Sequence, residues 1–157
     1  AMLANLISFV LGGVIVGTLY LILGIFLTPV GIGVSLLGFV KFAYFPFGKG
    51  VVTYDQLRSI RESKREDAGE EDLKKATELS RSALGKVVNL IWMLTFGWIL
   101  GLLHIICGLL NLITIIGIPC ALAHFKMVNV AMFPVGKTVV KKHVAEEIEK
   151  QIALNKI

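Results

Sequence analysis

Two stretches of this chain, Met2–Val40 and Val87–Phe125, carry no charged residue, and each is 39 residues long. A membrane-spanning helix needs about 20 residues. Each stretch therefore predicts two spans joined by a turn. Acidic residues follow the same partition: none precedes Asp55, and none falls between Glu78 and Glu146. With 55% hydrophobic residues and a mean hydropathy of +0.78, the chain reads as a membrane protein. Ala1, ahead of Met2, reads as a cloning remnant. The first stretch lacks the basic n-region and small-residue exit of a cleaved signal, so it is expected to be retained.

The same hydrophobic unit occurs twice. Asn5–Val52 runs NLISFVLGGVIVG…LTPVGIG…KFAYFPFGKGVV, and Asn89–Val140 runs NLIWMLTFGWILG…ITIIGIP…VNVAMFPVGKTVV. A duplicated unit constrains architecture before any single residue is interpreted. The expected fold is an all-α integral membrane protein. Four transmembrane helices, near Leu3–Phe26, Gly31–Phe47, Val87–Leu112 and Pro119–Val135, form two tandem helical hairpins of parallel topology. The expected domains are 2–52 (first repeat), 53–86 (a charged loop, partly helical), 87–140 (second repeat) and 141–157 (an amphipathic helix). Pro29 and Gly31 mark the first outer turn, Gly117 and Pro119 the second. Gly117 is expected to supply the backbone angles of a helix end, and Pro119 suits a first helical turn.

Basic residues set the orientation. The segment 49–86 holds nine Lys/Arg and eight Asp/Glu, and 137–157 holds five Lys, whereas the turns near residues 28 and 117 hold none. The positive-inside rule places loop, tail and both termini in the cytoplasm. Both repeats then begin and end on the same side, related by a twofold axis along the membrane normal. A short solvated helix is expected near Glu70–Leu84, with Leu73, Ala76, Leu79 and Ala83 sharing a face. Val140, Val144, Ile148 and Ile152 form a stripe on the tail helix that packs either on its own loop or on another protomer.

The residues Asn89-Leu90-Ile91-Trp92, Phe96-Gly97-Trp98, His104, Gly108, Thr114-Ile115-Ile116-Gly117-Ile118-Pro119, Phe125-Lys126 and Pro134-Val135-Gly136-Lys137 arrive in order. The first copy matches through Asn5, Gly12-Gly13, Lys41 and Pro46-Phe47-Gly48-Lys49. On these residues the chain resembles the YccF family of bacterial inner-membrane proteins, over nearly everything except the charged loop and the end of the tail. The resemblance implies an inner (plasma) membrane and two tandem domains, and no chemistry.

Among candidate site residues, Lys126 stands out. It lies about 11 residues before Lys137, roughly 16 Å along an upright helix and thus near the midplane. A lysine there costs about 2.5–3.5 kcal/mol or more against lipid, so it is expected to face protein, water or a partner. Asn129 shares its face, and the pair would favour anions. Asn111 and Asn129 are expected to be buried amides bonding between helices. His104 and His124 either line the same path or bond a neighbouring helix. His104, Cys107, Cys120 and His124 also form H-x2-C-x12-C-x3-H, a weak zinc-like spacing, and no metal or other cofactor is assigned.

Pro46 and Pro134 are expected to end or bend their helices, with Gly48 and Gly136 relieving the turns. Lys49, Lys137, Lys141 and Lys142 are placed at lipid phosphates, and Trp92 and Trp98 at the interface. Gly13/Gly17 and Gly97/Gly101 permit close helix packing. Ala131–Lys137 mimics a phosphate-binding loop but lies at a membrane helix end, outside the strand–loop–helix context such a loop needs. No acidic residue lies in any span and no catalytic set is present, so an enzyme is not expected.

The expected function is an oligomeric pore or transport path for a small ion or solute, with anions slightly favoured. Four helices enclose a channel poorly, so a homo-oligomer is implied. The expected partners are lipids, anionic headgroups included, and no nucleic acid. The alternative is a non-transporting scaffold or regulator working through its charged loop and tail.

Overall fold

The computed structural model describes residues 2–64 and 70–154. Ala1, residues 65–69 of the expected charged loop and residues 155–157 of the expected tail lie outside that range. The first half begins with α1 (Met2–Ser8), a π-helical turn (Phe9–Gly13) and α2 (Val14–Leu27). A 3-10 turn (Thr28–Val30) leads into α3 (Ile32–Tyr44), strand β1 (Lys49–Thr53) and α4 (Tyr54–Lys64). After α5 (Glu70–Arg81) the series recurs: α6 (Ala83–Trp92), a π-helical turn (Met93–Gly97), α7 (Trp98–Asn111), α8 (Ile118–Met132), β2 (Lys137–Lys141) and α9 (Lys142–Ala153).

Two helical runs, Met2–Val30 with a break at Leu11 and Gly12, and Ala83–Asn111, are long and apolar enough to cross a membrane. The returning helices α3 and α8 have 13 and 15 residues, roughly 20 and 22 Å against a hydrocarbon core of about 30 Å. They stop at Tyr44 and Met132, short of the expected Phe47 and Val135, because the residue before a proline is driven out of helical angles. Phe45 and Phe133 take nearly identical extended conformations there, φ −136° and −137°. The third long helix starts earlier than expected, because the Ser82 hydroxyl accepts from the Gly85 N–H at 3.1 Å and caps α6.

The chain is mostly helical, but the expectation of helices alone missed a small sheet. β1 pairs antiparallel with β2, Lys49 opposite Lys141, Val51 opposite Val139 and Thr53 opposite Lys137. β-branched residues directly after a glycine turn favour extended structure. The glycines, Gly48 (φ +86°) and Gly136 (φ +98°), hold backbone angles that other residues resist. Beyond the strands the pattern is reciprocal. Tyr54 N–H donates to the Gly136 carbonyl at 3.0 Å, and Lys142 N–H donates to the Gly48 carbonyl at 3.1 Å.

A second helix in the charged loop, α4, also went unread. Thr53 and Gln56 form its reciprocal capping box: Thr53 N–H donates to Gln56 Oε1 at 2.9 Å and Gln56 N–H to Thr53 Oγ1 at 3.2 Å. The α5 helix ends at Arg81 and buries Leu73 and Thr77, while Leu79 and Ala83 are exposed, contrary to the expected face. The tail helix α9 starts at Lys142 and packs on its own loop. Val52, Leu57, Ile60, Leu73, Ala145 and Ile148 share one core, and Lys64 pairs with Glu147 at 2.7 Å. This cap of α4, α5, α9 and the sheet sits beneath a separate core among the apolar helices, centred on Tyr20, Leu36, Phe39 and Met127.

Candidate functional site

The turn after each returning helix is fixed by one asparagine. The Asn5 amide donates to the Phe47 carbonyl at 3.2 Å and accepts the Phe47 N–H at 2.9 Å. Asn89 does the same to Val135, both bonds 3.0 Å. These clasps tie the start of each half to its Pro-x-Gly-Lys turn, a role the sequence reading did not give them.

The turn lysines then fold back onto the helix ends. Lys49 Nζ donates to the Lys41 and Phe45 carbonyls, both at 3.0 Å, and lies 6.0 Å from the Phe45 ring centre. Lys137 Nζ donates to the Asn129 carbonyl at 2.9 Å and to Asn129 Oδ1, and lies 5.8 Å from the Phe133 ring centre. The Lys41 and Asn129 carbonyls also accept the Phe45 and Phe133 N–H, both at 3.1 Å, so each lysine adds a second, charged donor at a helix C-terminus, where positive charge is favoured. Both lysines lie in the strands, outside the apolar helices. Burial, then the charge of Lys41, holds Lys49 below the ordinary lysine range. Burial lowers Lys137 to about 8.

Lys126 is exposed on α8 and makes no hydrogen bond or ion pair among the described residues. It lines a cavity of about 540 Å³ together with Lys49, Lys137 and Lys142. The structure sets Lys126 beside the lysines of the turns and cap. Asn129 lines the same cavity but is exposed, not buried as expected, and its oxygen is taken by Lys137. Lys142 is paired loosely with Glu146 at 3.5 Å, and Lys141 is exposed.

The other polar candidates gather elsewhere, inside the helices. His104 and His124 are buried, with their Nδ1 atoms 3.0 Å apart. The Tyr20 ring lies 6.0 Å from that of His104. Asn111 donates to the Cys107 carbonyl at 2.8 Å and to the Leu11 carbonyl at 2.9 Å. The second bond reaches across to the first half, where Leu11 and Gly12 break the helix and Gly12 has φ +130°. A side chain on Gly12 would press on His124 Nε2 and Cys107 Sγ, at 3.1 and 3.3 Å. The five polar-path candidates therefore split into a buried knot (His104, His124, Asn111) and an exposed pair (Lys126, Asn129). Among the described residues no set of three or more His, Cys, Asp or Glu side chains is arranged to hold a metal ion. The spacing of His104, Cys107, Cys120 and His124 brings the two histidines into contact and sets Cys107 and His124 beside Gly12.

Trp92 is not an interfacial anchor: it is buried, and its Nε1 donates to the Ala131 carbonyl at 2.7 Å. Trp98 is exposed. Gly13 and Gly17 let α2 approach Ala43 and Tyr44 of α3, while Gly101 faces Met132 of α8 and Gly97 faces Trp92, so the small residues serve packing within each half. Pro29 and Pro119 begin their turn and helix as expected. Gly31 has φ +88°, but Gly117 has an ordinary φ of −76° and is needed for space, since a Cβ there would lie 2.1 Å from the Asn111 carbonyl oxygen.

A family model described as YccF, an inner membrane component domain, matches residues 87–137. Two curated relatives, each named inner membrane protein YccF, come from Escherichia coli (strain K12) and Shigella flexneri. Each is 32% identical over 148 residues, covering 90% of this chain and 88% of the relative. No solved structure matches the chain.

Proposed function

The chain belongs to the YccF family of inner-membrane proteins, and from that premise we propose that it is a multi-pass homo-oligomer offering a small anion a path along α8. It consists of two tandem repeats of parallel topology, with both termini and the cap in the cytoplasm. The paired π-helical turns, the two asparagine clasps and a strand ladder centred on Val51 and Val139 support a twofold axis along the membrane normal. The repeats then extend through strand and amphipathic helix, beyond the boundaries at residues 52 and 140. In this reading α3 and α8 complete their crossings through the extended residues 45–47 and 133–135.

One observation carries the transport reading. Lys126 is an exposed ammonium on an apolar helix, without a partner among the described residues, in the wall of a cavity shared with Lys49, Lys137 and Lys142. Four lysines against two glutamates, Glu146 and Glu149 on the α9 side, leave the wall net positive, and a net positive wall concentrates anions. Because Lys126 and Asn129 lie on the outside of the chain, the path runs between protomers. No enzymatic step and no cofactor enters this reading. Purified protein in liposomes is expected to pass chloride or nitrate, and Lys126→Glu to shift selectivity toward cations. Absence of flux from a protein that is monomeric in the bilayer would refute it.

The second reading, a scaffold or regulator acting through loop and tail, draws on the cap having its own core with charged outer faces. Deleting part of the segment 62–75 should then leave assembly intact and abolish partner capture.

A further inference from the structure

The lysine-lined cavity does not end in polar surface. It shares Phe42, Lys49, Lys126 and Lys142 with an adjoining groove of about 260 Å³. Away from those lysines the groove is walled mainly by Pro46, Phe47, Leu122 and Ala123, and it reaches Pro119, near the other end of α8. A free inorganic anion would fill the charged part and leave the apolar part empty. In a membrane that part is filled by hydrocarbon.

We propose that cavity and groove together hold one anionic phospholipid, its phosphate among Lys49, Lys126 and Lys142 and an acyl chain along Phe42, Phe47 and Leu122. The inference names an occupant for the site described above, and it rests on that reading for the cytoplasmic placement of the cap.

The three ammonium groups come from three elements, β1, α8 and α9, so the head site exists only in the folded chain. Lys126 brings a charge that is unpaired among the described residues. Lys49 spends two of its three N–H donors on carbonyls and keeps one. Among the described residues Lys142 is held only by the 3.5 Å contact with Glu146. Glu146 and Glu149 line the α9 side of the cavity and push a phosphate toward α8 and Lys126. Basic pockets between membrane helices on the cytoplasmic side are the kind of site that selects anionic headgroups.

The test uses the full chain purified in detergent, with bound lipid counted by native mass spectrometry after addition of phosphatidylglycerol, phosphatidylcholine or inorganic phosphate. One phosphatidylglycerol per chain should be retained in preference to phosphatidylcholine, and millimolar phosphate should not displace it. Lys126→Met and Lys142→Met should each weaken retention about fivefold, the worth of one interfacial lysine, while Lys126→Arg keeps it. Leu122→Trp, which fills the groove without changing charge, should also lower retention. Equal retention of the two lipids by the unmodified chain overturns the inference. So does displacement by phosphate with no effect of Leu122→Trp, which would mark a site for free anions. Flux measured on the same preparations separates the two claims. Anion flux without lipid preference removes only the lipid, and lipid preference without flux removes only the path.

Discussion

Tyr20 in the first half and His104 in the second each stand seven residues after the glycine that ends a π-helical turn. They meet each other across the interior, and there the likeness stops. The second half pairs His104 with His124, while the residue ten before Pro46, matching His124 ten before Pro134, is Leu36. Eight residues before each of those prolines stand Gly38 and Lys126. What the halves share does backbone work: π-helical turns, outer turns, clasps and strands. Most of the polar and charged residues that they do not share sit either in the buried knot or in the wall of the lysine cavity. The comparison teaches that the frame was kept in both halves while chemistry accumulated in one.

The largest expected contrast lies at a matched pair of unlike residues. Trp92→Ala should destabilise the protein by about 3–5 kcal/mol, the cost of emptying a large buried aromatic site, and it also removes the bond to Ala131. Its first-half counterpart Ser8→Ala should cost about 1 kcal/mol or less. Thermal unfolding in detergent measures both, and equal losses would break the comparison. Next come the matched clasps. Asn5→Ala and Asn89→Ala each remove two bonds to a turn and should cost about 2 kcal/mol. Here the halves should agree, and a large difference would mean that one turn is held by something else.

A smaller effect separates the lysines by pH. The folded state lowers Lys137 to about 8 against 10.5 for the free side chain. Between those values the unfolded chain holds a proton that the folded chain has released, so stability should rise with pH from about 8 toward 10.5. Below that window the buried charge is a cost. Lys49 is lowered in the same direction and should contribute similarly. Melting temperatures across this range should lose part of their upward slope in Lys137→Met, whatever that substitution does to the overall level.

Much of this was legible in the sequence where charge and repetition carry the signal: the apolar helices, the outer turns, the Pro-x-Gly-Lys phrase and the amphipathic tail. The misreadings have physical causes. Val51-Val52-Thr53 and Thr138-Val139-Val140 continue an apolar stretch, so their β character was hidden until the Gly48 and Gly136 turns brought them together. The Thr53–Gln56 capping box was present and unread. Trp92 falls in the first turns of a helix read to begin at Val87, where interfacial anchoring is the usual role; with the helix starting at Ala83 it lies deeper, packed against Ala131. The position of Lys126 was inferred by counting along one helix, but which groups share its cavity depends on β1 and α9, far away in sequence. Asn111 bonding to Leu11 could not be foreseen without the break at Gly12.

The central claim is that the cavity beside α8 carries the function and the matching face of the first half does not. Anion flux into liposomes by Lys126→Met and by Lys41→Met, the lysine of the first returning helix, tests it most directly. Loss of about tenfold or more in Lys126→Met, with Lys41→Met within about twofold of the unmodified protein, is the expected result. Equal flux in the two variants, or a greater loss in Lys41→Met, would contradict it.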